Sequence, residues 1–221
     1  MDNIYRRDHG MAYISDDAVL AQQKETKKMI REYNQVMPFE PEKGMACLNR
    51  TGMKHKKNVY FEPPFYCEYG SHIEVGENFY ANTNCVMLDV GKITIGDNVL
   101  IGPNVGIYTA GHPIHPESRN SAYEYGIPIT IGDNVWVGGS CCILPGVKIG
   151  NNVVIGCGEE APNVLKPAVY GFGLVTIAEK SVIPSGVKIG KNTAISGETT
   201  VEDYPDGELV SGGAIVKKDG E

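Results

Sequence analysis

Several things are scarce in this chain of 221 residues. No uninterrupted apolar run approaches the roughly 20 residues that a bilayer-spanning helix needs. The opening residues, MDNIYRRDHG, lack the apolar segment of a signal peptide. A cytoplasmic protein with no membrane partner is therefore expected. Basic charge is also short: 20 Lys and Arg against 27 Asp and Glu leave a net charge of −7. Nucleic acid would need a concentrated basic face, and the one clear basic cluster, KHKK at 54–57, is brief. The six cysteines, at 47, 67, 85, 141, 142 and 157, form no CxxC pair, so reduced thiols are expected rather than a disulfide framework.

Glycine, by contrast, is plentiful at 27 residues, and it recurs at regular places. From 131 the chain reads IGDNVW, VGGSCC, ILPGVK, IGNNVV, IG. Ile131, Val137, Ile143, Ile149 and Ile155 lead the units, with Ile129, Val135, Cys141, Val147 and Val153 two residues before them. Ile95, Ile101 and Ile107 repeat the pattern upstream, and Val75, Ala81 and Met87 do so more loosely. A period of two inside a period of six means short strands whose inward residues alternate, each followed by a turn. Asn98, Asn134 and Asn152 recur at one place in the unit, where a tight corner favours the left-handed backbone region. One such unit cannot bury its own apolar face, whereas stacked units form a continuous column. Three strands per turn predict a triangular prism.

The stretch TAGHPIHP, 109–116, interrupts this counting. Ile107 and Ile131 stand four whole units apart, so a loop at about 110–127 leaves the coil without disturbing its register. His112 and His115 are its conspicuous side chains. Ahead of the repeat, residues 16–34 predict a helix with Ser15 as its cap, after which Pro38 and Pro41 break the chain. Trp136 immediately precedes an inward position, so alternation turns it outward.

Residues from about 58 to 158, and more loosely from about residue 11, resemble the maltose and galactoside O-acetyltransferases of the hexapeptide-repeat acyltransferases. The resemblance rests on EPPFYCEYGSHIEVGENFYANTNCVMLDV, GHPIHPESRN and the following NVWVGG. It implies a left-handed parallel β-helix with an N-terminal helical cap, assembled as a homotrimer with sites between subunits. It also implies acetyl transfer from acetyl-CoA to a hydroxyl of a sugar or glycoside, with no metal required. His112 matches the family's catalytic base. Glu68, Tyr80, Asn82, Asp89 and Glu124 match the acceptor pocket, and an acid at Asp16 or Asp17 is expected to reach the sugar as well. Trp136, Gly139, Ser140 and Cys157 match the donor site, with the Gly139 N–H facing the developing oxyanion. His115 is left outside the catalytic set.

The match stops near Gly158. Residues 159–160 are two glutamates, and the register returns out of phase at Ile177, Ile183, Ile189, Ile195 and Val201. Residues 166–221 resemble the C-terminal β-helix of glucose-1-phosphate adenylyltransferases, without their catalytic domain. Three parts are expected: a helical cap at 1–57, an acetyltransferase body at 58–158, and a connecting segment with a second short repeat at 159–221. Lys166, Lys180, Lys188, Lys191, Lys217 and Lys218 are the tail's candidates for coenzyme phosphates. The rival reading is a trimeric sugar-binding scaffold whose altered tail no longer binds coenzyme A.

Overall fold

The computed structural model describes residues 1–217. Its body is a parallel β-helix with three faces, built from sheets of six, seven and seven strands. The first face begins at Lys54–His55, the second at Tyr60–Phe61 and the third at Phe65–Cys67. The chain then revisits them in that order. Ile131 pairs with Ile95 and Ile149 on the first face, and Val137 with Ile101 and Ile155 on the second. Ile143 pairs with Ile107 and Ile177 on the third. These side chains are at most 4% exposed, and the residues two before the unit leaders, such as Val135 and Cys141, are buried with them. The sixfold spacing thus becomes an apolar column along the axis. At one edge Asn98, Asn134 and Asn152 adopt φ of 57°, 56° and 56°. Their side-chain amides bond one to the next at 3.2 Å.

Three helices precede the coil: α1 (Asn3–Asp8), α2 (Asp17–Val36) and α3 (Pro41–Arg50). The expected helix is α2, but Asp16 rather than Ser15 caps it, its carboxylate accepting from the Val19 N–H at 3.1 Å. Pro41 starts a helix where a break was expected. At the first helical position its missing N–H would have had no partner anyway. Helix α2 lies against α3 and against the strand Phe65–Cys67. Tyr33 and Ile30 of α2, with Leu48 and Cys47 of α3, join the column's core.

Beyond the segment 158–174, strands Val175–Ile177, Val182–Ile183 and Lys188–Gly190 stack on the third, first and second faces, the last with a register shift between Ile155 and Cys157. Val201, expected inward, is 57% exposed. There the chain forms two 3-10 turns, Val201–Asp203 and Pro205–Gly207. The capping box of Thr200 with Asp203, and Pro205 just after it, override the repeat. Leu209 and Ile215 take the next places, against Ile189 and Ile195. Lys218 lies outside the described residues. All six cysteines are free thiols. Among the described residues no helix is long and apolar enough to cross a membrane.

Candidate functional site

The edge between the third and first faces is irregular in the early coils. Cys67 to Val75 and Met87 to Ile95 are steps of eight, whereas Ile143 to Ile149 and Ile177 to Ile183 are steps of six. The added residues make room for Glu68 and Asp89. At the next level the same edge extends into an arm. It consists of strands Ala110–Gly111 and Tyr123–Gly126 with a short helix, α4 (Pro116–Asn120), between them. His112 stands on this arm, exposed, and its ring makes no hydrogen bond within the described residues of the chain. The edge therefore gathers Glu68, Asp89, His112 and Glu124, which lie far apart in sequence.

Asp89 is fully buried. Its Oδ1 accepts the N–H groups of Glu68 and Tyr69 at 2.8 and 3.0 Å, while Oδ2 has no partner among the described residues. Burial pushes its pKa up, against the two N–H bonds that favour its charged form. This carboxyl shapes the corner and is sealed from solvent, unlike an open sugar contact. Glu68, half-buried beside it, is raised to about 7 by desolvation and by the neighbouring Asp89. Glu124 accepts from the Tyr13 hydroxyl at 2.9 Å and from Ser15 Oγ at 3.1 Å. Asp16 is committed to its helix cap and to Asn3 Nδ2 at 2.9 Å. Asp17 lies exposed in the first turn of α2.

The remaining candidates lie elsewhere. Tyr80 and Trp136 project outward from the second face, in one lateral column with Tyr60, Leu100 and Val154. Trp136 is 49% and Leu100 50% exposed, and the rings of Tyr60 and Tyr80 stack at 6.1 Å. Lys188 continues that column one level beyond Val154. Asn82, Gly139 and Ser140 follow second-face strands, and Cys157 is the last residue of another, Val154–Cys157. The Ser140 N–H is taken by the Pro103 carbonyl at 2.9 Å, but no described carbonyl accepts from the Gly139 N–H. A Cβ at Gly139 would crowd Pro103 at 3.1 Å. Asn82 and Asp89 stand at opposite ends of the strand Cys85–Leu88, roughly 20 Å of extended chain apart. The candidate residues thus fall into two groups on two edges.

Sequence reasoning missed the surroundings of the first group. Arg7 of α1 is buried, its guanidinium 4.0 Å over the Tyr69 ring and paired with Asp8. His72 bridges the Asp89 carbonyl at 2.7 Å and Asp8 at 3.3 Å. A cavity of about 470 Å³ opens beside them, bordered by Arg7, His72, Lys92 and Gly126. The steps of eight were the available signal for this corner. Nothing in sequence spacing announces contacts from α1.

Residues 128–158 match the bacterial transferase hexapeptide (six repeats), and residues 92–114 the hexapeptide repeat of succinyl-transferase. The chain is 44% identical over 148 residues to the galactoside O-acetyltransferase of Escherichia coli strain K12, spanning 67% of this chain and 73% of that one. A maltose O-acetyltransferase from Clostridium difficile 630 superposes with a TM-score of 0.70 at 39% identity, covering 85% of this chain and 91% of the other. A hexapeptide-repeat acetyltransferase from Vibrio cholerae O1 biovar eltor, complexed with acetyl coenzyme A, superposes with a TM-score of 0.69 at 28% identity over 86% and 93%.

Proposed function

The chain belongs to the maltose and galactoside O-acetyltransferase family of hexapeptide-repeat transferases, and from that premise we propose that it transfers acetyl from acetyl-CoA to a hydroxyl of a sugar or glycoside. The proposal takes the coil as left-handed and the assembly as a homotrimer, as the family resemblance implies. One observation carries it. An uncommitted imidazole, His112, and an uncommitted main-chain donor, the Gly139 N–H, stand on different edges of the coil. A neighbouring copy would bring such edges together.

His112 takes the proton as the acceptor oxygen attacks the thioester carbonyl, and general-base help of this kind is worth about 10²–10⁴ in rate. The Gly139 N–H supports the oxyanion. The intermediate then expels the coenzyme thiolate, which recovers the proton from His112. Trp136, Ser140 and Cys157 are assigned to the donor groove. Glu68, Tyr80, Asn82 and Glu124 are assigned to the acceptor, with Asp89 holding the corner beneath Glu68. Direct transfer agrees with the thiols, since burial raises Cys85 and Cys141 to about 12 and leaves them poor nucleophiles.

The test is release of free thiol from acetyl-CoA against maltose, glucose and galactosides, with His112→Ala alongside. Sugar-dependent release that falls at least 100-fold in the variant supports the reading, whereas wild-type rates in the variant overturn His112 as base. Calorimetry with acetyl-CoA separates the scaffold alternative, which requires no donor binding.

A further inference from the structure

The arm that carries His112 has little of its own to hold it. No residue of α4 is buried, and Ile114 is 91% exposed. Its two strands pair with each other, and the Tyr125 hydroxyl donates to the His112 carbonyl at 3.4 Å. Among the described residues, what joins the arm to the rest of the chain away from its own stem is a two-residue strand, Tyr13–Ile14, paired antiparallel with Tyr123 and Glu124. Tyr13 is fully buried in a small second core with Val19, Tyr69 and Val90. That core belongs to α2 and to the corner of Glu68 and Asp89. From it the Tyr13 hydroxyl reaches one oxygen of Glu124, while Ser15 Oγ reaches the other.

We propose that Tyr13 and Ser15 are positioning residues for acetyl transfer. By donating to both oxygens of Glu124 they fix the arm that presents His112 and aim the free side of the carboxylate at the acceptor. This rests on the reading of His112 as base. A carboxylate has about four acceptor positions, so two remain for a sugar hydroxyl. Burial raises the Tyr13 phenol, which keeps it a donor across the working range. The geometry matters because a displacement of about 1 Å at a reacting group can cost 100-fold in rate.

Tyr13→Phe keeps the ring in its core and deletes the bond; Ser15→Ala deletes the other at the half-buried rim. Tyr13→Phe is expected to lower kcat about tenfold and Ser15→Ala about threefold, with KM for acetyl-CoA within about twofold. Amide hydrogen exchange should quicken in residues 110–126 and in the paired strand Tyr13–Ile14, and nowhere else. In a Glu124→Gln background, Tyr13→Phe should add less than about twofold, because the two act through one contact. A merely structural role would instead lower the melting temperature, speed exchange throughout, and leave kcat per folded molecule intact. Unchanged kcat and unchanged exchange in the arm would overturn the proposal, as would a full additional loss in the Glu124→Gln background. If Tyr13→Phe does not fold, Ser15→Ala decides by the same readouts. If the wild type transfers no acetyl at all, the reading of His112 fails, and exchange in the arm alone judges the clasp.

Discussion

Residues 110–126 and residues 158–174 both leave the coil and rejoin its stack, the first within the sixfold count and the second out of it, yet they are held in contrasting ways. The first is tied near its base, through Glu124, and its outer part makes no buried contact. The second is pinned from within by Asn163, which is 2% exposed. Asn163 Nδ2 donates to the Asn192 and Gly213 carbonyls at 2.8 and 3.2 Å, and Oδ1 accepts the Leu165 and Lys166 N–H groups at 2.9 Å each. Asn192 returns the grip, donating to the Ala161 carbonyl and accepting the Gly173 N–H. Under the proposed function the first arm presents a base to a substrate, and such an arm needs an open tip over a fixed root. A segment that only bridges two coils gains most from filling its hydrogen bonds, since each buried group left unpaired costs about 1–3 kcal/mol.

Substitutions should therefore separate activity from stability across the two segments. In the first, His112→Ala should remove at least 100-fold of turnover while unfolding free energy stays within about 0.5 kcal/mol, read by thiol release and denaturant melts. In the second, Asn163→Ala should cost about 3 kcal/mol of stability and leave turnover of the folded fraction unchanged; a melt indistinguishable from wild type would contradict the pinning.

The corner from which the first arm springs should also respond to pH. Glu68 is raised to about 7 from an ordinary 4.5, so its ionisation opposes folding. Stability from this source is complete below about pH 4.5 and is lost as pH rises to 7. Glu68→Gln should match wild type in acid and exceed it above pH 7, by at most about 3 kcal/mol, measured as melting temperature against pH. The smallest effect concerns backbone strain. Phe172 in the second segment holds φ of 56° and is 98% exposed, and Ala122 in the first holds φ of 62°. Glycine at either position should stabilise by about 0.5–1 kcal/mol, with no change expected in turnover for Phe172→Gly.

Legibility in the sequence followed the repeat. Where residues obeyed the sixfold register, burial followed, from Ile95 to Ile195. Where a local motif competed, the register lost: the Thr200–Asp203 box and Pro205 turned Val201 out to solvent. Pro41 was misread because a proline ends one helix and begins another with equal ease. Asp89 and Glu124 were picked out by resemblance, but resemblance could not reveal that one is sealed in a corner and the other clasped by Tyr13, 111 positions away.

The sequence by itself determined the three-faced column, the outward turn of Trp136 and the departure of the His112 arm. Each follows from spacing alone, because alternation and turn chemistry act between near neighbours. Only the tertiary structure decided which edge each candidate occupies, which carboxyl is buried, and what holds the arm. Those outcomes depend on contacts between distant segments, α1 and Tyr13 on the corner of Asp89 and Glu124, whose geometry exists only once the coil has stacked.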